Sequence, residues 1–135
     1  MILDFKVENH KAEKIKQTVF VYYTGGTTAI SSFTFNISNV PFQPDTLIVR
    51  YVNFVDGGSA SDNIVLLYSD LVGNKPLVAF TNNTIGISSQ KMDVYHKFNI
   101  IPQGTFTFNY ITTAGAPLTL TGSISIQLEF SKGYY

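Results

Sequence analysis

The chain has no cysteine and no tryptophan among its 135 residues, and it carries little charge. Without cysteine it can form no disulfide, no thiolate zinc site and no thiol nucleophile, and either redox compartment stays open. Charged residues make up 13% of the chain, which is roughly half of the fraction in an ordinary soluble domain. Much of the surface is therefore expected to be uncharged.

An excess of positive charge is also lacking, because nine basic residues balance nine acidic ones. Proteins that grip nucleic-acid phosphates need a concentrated positive field, so we expect no direct contact with nucleic acid. Charges of both signs alternate over residues 1–15, which predicts a solvated N-terminal arm that docks on a neighbouring subunit through Lys11 and Lys14. Because charge begins at Asp4, this start is expected to be neither a signal peptide nor a membrane span.

No stretch has the periodicity of a long helix. Instead, β-branched and aromatic runs alternate with clusters of Gly, Pro, Asn, Asp and Ser, a pattern typical of antiparallel all-β domains. Eight strands are predicted, at 17–23, 30–37, 46–55, 63–69, 76–80, 93–100, 104–112 and 122–131. Their number and short connections favour an eight-stranded antiparallel two-sheet sandwich of jelly-roll type over residues 16–135. An immunoglobulin-like sandwich is the alternative fold, and a short extra strand at residues 2–7 stays open.

The closing segment "SISIQLEF" (123–130) alternates apolar and polar residues without interruption. Successive side chains of a strand point to opposite faces, so this segment has one apolar stripe for a core. In a jelly roll the last strand returns beside the early ones. We therefore predict a central strand with four core residues, Ile124, Ile126, Leu128 and Phe130.

Two predicted strands, 46–55 and 63–69, are apolar on both faces under strict alternation. In a sandwich of two layers the outer apolar rows need cover from a loop, the N-terminal arm or another subunit. The sequence thus predicts a cyclic homo-oligomer, and the residues expected near an interface or beneath the arm are Tyr51, Phe54, Val65 and Leu67.

The sequence contains no serine elbow, no phosphate-binding loop and no dinucleotide fingerprint, so no catalytic residue is predicted and the protein is not expected to be an enzyme. In "DGGSASDN" (56–63) Asp56 and Asp62 are candidate calcium ligands. The twelve-residue calcium pattern with its closing Glu is missing, and a glycine-rich turn explains the segment equally well, so neither metal nor cofactor is expected. His96 shares a face with apolar residues and is predicted to be a hydrogen-bonded core residue rather than a ligand.

Three segments, "NVPFQPDTLIVRYVNF" (39–54), "LYSDLVGNKPLVAF" (67–80) and "GSISIQLEF" (122–130), resemble small single jelly-roll structural proteins of double-stranded DNA viruses such as virophages and polinton-like viruses. That class supplies vertex (penton) and minor capsid proteins. The resemblance implies a capsid subunit in the virion that contacts copies of itself and other capsid proteins. The resemblance implies no active-site residues in this chain.

Another segment, "YHKFNIIPQGTFTFNY" (95–110), is similar to trimeric jelly rolls of the C1q and tumour-necrosis type. Exposed tyrosines can also stack on sugar rings, as in carbohydrate-binding sandwiches. A non-enzymatic binding module is therefore the alternative function.

Overall fold

A computed structural model of the chain describes residues 15–25, 28–56, 64–81 and 86–133. These residues form eight β-strands and one 3₁₀ turn at Asp70–Val72. In chain order the strands are β1 (Ile15–Tyr23), β2 (Ser32–Ile37), β3 (Thr46–Asp56), β4 (Ile64–Ser69), β5 (Lys75–Thr81), β6 (Gly86–Lys97), β7 (Gly104–Thr112) and β8 (Gly122–Lys132).

The strands form two four-stranded sheets in which every neighbouring pair is antiparallel. The first sheet has the order β1-β8-β3-β6 and the second has the order β2-β7-β4-β5. The chain crosses repeatedly from one sheet to the other, and its last strand inserts between β1 and β3. This arrangement is an eight-stranded jelly roll and confirms the predicted fold class.

Strand β8 is the central strand that "SISIQLEF" predicted. It pairs with β1 along one side, from Ile15 opposite Lys132 to Tyr23 opposite Ile124, and with β3 along the other. Its apolar stripe is fully enclosed between the sheets and consists of Ile124, Ile126, Leu128 and Phe130.

A β-bulge at Arg50 explains why β3 looked apolar on both faces. Val49 lies opposite Leu128 in β8, whereas Tyr51 lies opposite Gln127, so β3 holds one residue more than its partner. An extra residue reverses the alternation of side chains beyond it. The four residues on either side of the bulge consequently share one core face, namely Leu47, Val49, Val52 and Phe54. The bulge, rather than a second full apolar face, explains most of the pattern, although Ile48 on the outer face is also buried.

Strand β4 does place apolar side chains on both faces. Val65 and Leu67 are fully buried between the sheets, while Ile64 on the other face is exposed. Three interface candidates, Phe54, Val65 and Leu67, are thus enclosed by the chain's own second layer. Their assignment to a subunit interface is corrected, because a side chain without accessible surface cannot contact a partner directly.

Strand β6 begins seven residues earlier than the predicted 93–100 and ends three residues earlier. Its first half is polar and has little intrinsic strand signal, but it pairs with the second half of β3. The strand ends at Lys97 because Phe98 turns inward. Its N–H donates to the Asp45 carbonyl at 3.1 Å, and its ring packs edge-on against Phe130.

The first test of this core uses two adjacent residues of β8 that face opposite ways. Ile126→Ala removes a fully buried side chain and should lower the free energy of unfolding by about 2–5 kcal/mol. Gln127→Ala changes the outer face and should cost less than about 0.5 kcal/mol. Denaturant unfolding measures both values, and similar losses would contradict the assigned orientation of β8.

Burial also sets a pH dependence. Tyr110 is enclosed among aromatic rings, and desolvation raises the pKa of its hydroxyl above the ordinary 10.0. Above about pH 10 the Tyr110 hydroxyl loses its proton in the unfolded chain but keeps it in the folded chain. The free energy of unfolding therefore falls as pH rises through this range. Relative to Tyr110→Phe, the wild type should lose about 1.4 kcal/mol more between pH 9 and pH 11 in denaturant unfolding. Equal losses would show that Tyr110 does not resist ionisation.

Candidate interaction surfaces

Strands β1, β8, β3 and β6 turn their non-core side chains to the outer face of the first sheet. On this face lies a shallow depression of 540 Å³, which we call the Arg50 groove. It is lined by Thr18, Arg50, Tyr51, Lys91, Asp93, Gln127 and Glu129. The bulge builds this site, because it puts two consecutive residues of β3, Arg50 and Tyr51, on the same outer face.

Arg50 ties three strands together through ion pairs. Its Nε and Nη2 both donate to Oε2 of Glu129 on β8, at 3.0 and 2.8 Å, and its Nη1 donates to Oδ1 of Asp93 on β6 at 2.8 Å. Lys16 Nζ on β1 lies 3.6 Å from the other oxygen of Glu129. The hydrogen bonds that Arg50 donates to Asp93 and to Glu129, in that order of size, raise the pKa of Arg50 above its already high ordinary value, so the guanidinium stays charged.

Tyr51 is exposed at the middle of the groove. It lies between Gln127 of β8 and Lys91 of β6, and Phe20 of β1 lies on the far side of Gln127. Within the described part of the chain, Lys91 forms no ion pair and the side chains of Thr18 and Gln127 form no hydrogen bond. These polar groups are therefore available to a ligand.

A second surface, the β1–β2 side, is apolar. We define it by Phe20 and Tyr22 of β1 and Phe35 of β2. The exposed fractions of Phe20 and Tyr22 are 56% and 57%, and the Tyr22 ring packs edge-on against Phe35 at a centroid distance of 5.2 Å. Both strands are sheet edges, so their outer backbone groups have no ladder partner among the described strands.

The structure describes only some of the other residues that the sequence singled out. Tyr51 is exposed, whereas Lys11, Lys14, Asp62 and the side chain of Asp56 lie outside the described residues. His96 is half-buried, with Nε2 2.8 Å from the carbonyl oxygen of Leu77. A carbonyl only accepts, so Nε2 donates, which confirms the predicted hydrogen bond, although His96 is half-buried and lies outside the core cluster.

Sequence reasoning missed Arg50, Lys91, Asp93 and Gln127 as members of one site. Strict alternation puts Arg50 on the same face as Val52 and Phe54, and only the bulge separates it from these core residues. In the part of the chain that the structure describes, no three His, Asp or Glu side chains are placed to hold a metal ion. Among the residues that the structure describes, no helix is long and apolar enough to cross a membrane.

The chain matches no protein family model and no curated protein. Among solved structures it is similar to the Drosophila NLP core, with 14% identity, a TM-score of 0.43, and coverage of 89% of this chain and 100% of that one. It is similar to CBM35 from Paenibacillus barcinonensis, with 14% identity, a TM-score of 0.39, and coverage of 85% and 98%. It is also similar to the tobacco streak virus coat protein, with 16% identity, a TM-score of 0.32, and coverage of 87% and 88%. Similarity at this level carries no functional argument, and the fold assignment rests on the strand order above.

The Arg50 ion pairs should differ in strength because their carboxylates differ in exposure. The Glu129 side chain is 12% exposed and that of Asp93 is 54% exposed, so water screens the Asp93 pair more. In double-mutant cycles with Arg50→Gln, we expect a coupling energy on the order of 1 kcal/mol for Glu129→Gln and at most about 0.5 kcal/mol for Asp93→Asn. Urea unfolding at low and high salt measures both, and equal couplings would contradict the ranking.

Proposed function

We propose that this protein is a structural subunit of a viral capsid, a vertex or minor capsid protein that acts by self-association within the virion. Two features support the proposal. Most of the chain resembles small single jelly-roll structural proteins of double-stranded DNA viruses, and the strand order is the jelly roll that viral capsid domains commonly use. Its partners would be copies of itself and other capsid proteins.

The observation that carries the proposal is the apolar β1–β2 side. Strand β1 is a nine-residue edge strand that exposes Ile15, Phe20 and Tyr22. Natural proteins normally protect such edges with charges, proline or short strands, because an open apolar edge pairs with other chains. Here Lys16 is the single charged residue of the strand. Covering Phe20 and Tyr22, which share one face of β1, with another subunit would remove apolar surface from water, at roughly 25 cal/mol per Å².

The bulge gathers Leu47, Val49, Val52 and Phe54 on the core face of β3, and Ile48 on the outer face is already buried, so the strand leaves little apolar surface that requires a partner. The exposed apolar side chains lie instead on β1, at the edge of the first sheet. The β1 edge of one copy could contact a different surface of the next copy. Such head-to-tail contacts close into a ring when the rotation between successive copies allows it, and this would give a cyclic assembly.

Self-association is tested by sedimentation velocity at concentrations on the order of ten micromolar, where a micromolar dissociation constant gives mixed species. The wild type should sediment as a closed oligomer, and the double variant Phe20→Gln/Tyr22→Gln should be a monomer. Tyr95→Gln is the matched control, since Tyr95 is 62% exposed but lies on β6, the opposite edge strand. It should assemble like the wild type.

Circular dichroism and thermal unfolding establish that all variants are folded. A wild type that stays monomeric at every concentration and salt would contradict the proposal and favour the non-enzymatic binding module. If Tyr95→Gln lost assembly and the double variant did not, the interface would lie at β6 rather than at β1. That result would contradict the role proposed for the β1–β2 side.

A further inference from the structure

We propose that the Arg50 groove binds an acidic saccharide, through a pyranose ring that carries one carboxylate. This site adjoins the β1–β2 side, since Phe20 lies opposite Gln127 in the sheet register, but it uses other side chains and does not rest on the capsid role. Its volume of 540 Å³ falls within the range of about 300–1,000 Å³ that is usual for small-molecule sites. It combines one exposed aromatic ring with polar side chains that converge from four strands.

The groove is organised before any ligand arrives. Arg50 is held by Asp93 and Glu129, and Glu129 is held in addition by Lys16. These side chains come from neighbouring strands of one sheet, so their geometry does not depend on a loop. These ion pairs fix the shape of the groove, while the contacts to a ligand would come from its unpaired members, Thr18, Tyr51, Lys91 and Gln127.

Tyr51 provides the surface for a sugar ring. Its side chain is exposed, with Gln127 on one side and Lys91 on the other in the sheet register. An aromatic ring offers a large rigid apolar face, which suits the C–H face of a pyranose, while the polar edge of the sugar meets hydrogen-bonding groups. Gln127 can donate and accept, and the Thr18 hydroxyl can do the same.

The charge of the site favours an anionic ligand. Three cations, Lys16, Arg50 and Lys91, face two carboxylates, Asp93 and Glu129. Arg50 and Lys16 are paired, and Lys91 is the cation that no described carboxylate neutralises. One ligand carboxylate placed against Lys91 would balance the site, and this gives acidic sugars an advantage over neutral ones.

The test compares methyl glucuronide with methyl glucoside, which has a neutral hydroxymethyl group in place of the carboxylate. Titration followed by amide NMR shifts should show saturable binding of the glucuronide with a dissociation constant on the order of millimolar, at least about fivefold tighter than that of the glucoside. The largest shifts should fall on Tyr51, Lys91 and Gln127.

Two variants and a control separate the contributions. Lys91→Gln should abolish the preference for the glucuronide and leave glucoside binding unchanged. Tyr51→Ala should weaken binding of both sugars about tenfold, which is the loss expected when one main contact of about 1.4 kcal/mol is removed. Tyr95→Ala, an exposed tyrosine of the same sheet outside the groove lining, should change neither affinity.

Absence of saturable binding to the wild type at concentrations far above millimolar would overturn the proposal, as would equal affinity for the two sugars. A third result would overturn it as well. If Tyr51→Ala or Lys91→Gln changes the sedimentation of the protein while sugar binding is absent, the groove is a contact between copies. That outcome would leave the capsid proposal intact, so the two proposals fail separately.

Discussion

The β-bulge at Arg50 is the constraint on which both the core and the outer face of the first sheet depend. Without the extra residue, β3 could not send Leu47 and Val49 and also Val52 and Phe54 to the same side. Strand β3 lies between β8 and β6. If its side chains pointed to the wrong faces beyond Arg50, packing across the sandwich would be disrupted. The same extra residue makes Arg50 and Tyr51 neighbours on the outer face, where Arg50 ties β3 to β6 and β8.

The two interaction surfaces follow from different physics. The β1–β2 side exists because a jelly roll leaves four edge strands open, and one of them, β1, carries exposed aromatic side chains. Its attraction is hydrophobic, so it depends mainly on area. The Arg50 groove lies on the face of the sheet, where paired charges fix the directions of hydrogen-bonding groups. Such a surface selects a ligand by chemistry rather than by area.

The central position of β8 connects these features. It pairs with β1, which carries the apolar edge, and with β3, which carries the bulge. Glu129 of β8 accepts hydrogen bonds from Arg50 and lies near Lys16, so one carboxylate joins three strands of the first sheet. Assembly through β1 and ligand binding in the groove would therefore share one rigid sheet, although each uses its own side chains.

The sequence alone determined the number of strands, the antiparallel two-sheet sandwich and the core stripe of β8, because these depend on local alternation and on turn residues. It favoured a jelly roll over an immunoglobulin-like sandwich, but only the strand order of the two sheets decided between them. It also excluded every function that requires a thiol. Only the tertiary structure decided which residues of β3 face outward, since a bulge has no local signature and is defined by pairing with a distant strand. The polar start of β6 forms a strand for the same reason, as β3 supplies its partner. The Arg50 groove joins residues from four strands that lie far apart in the chain, so its members become neighbours only when the sheet order brings them together.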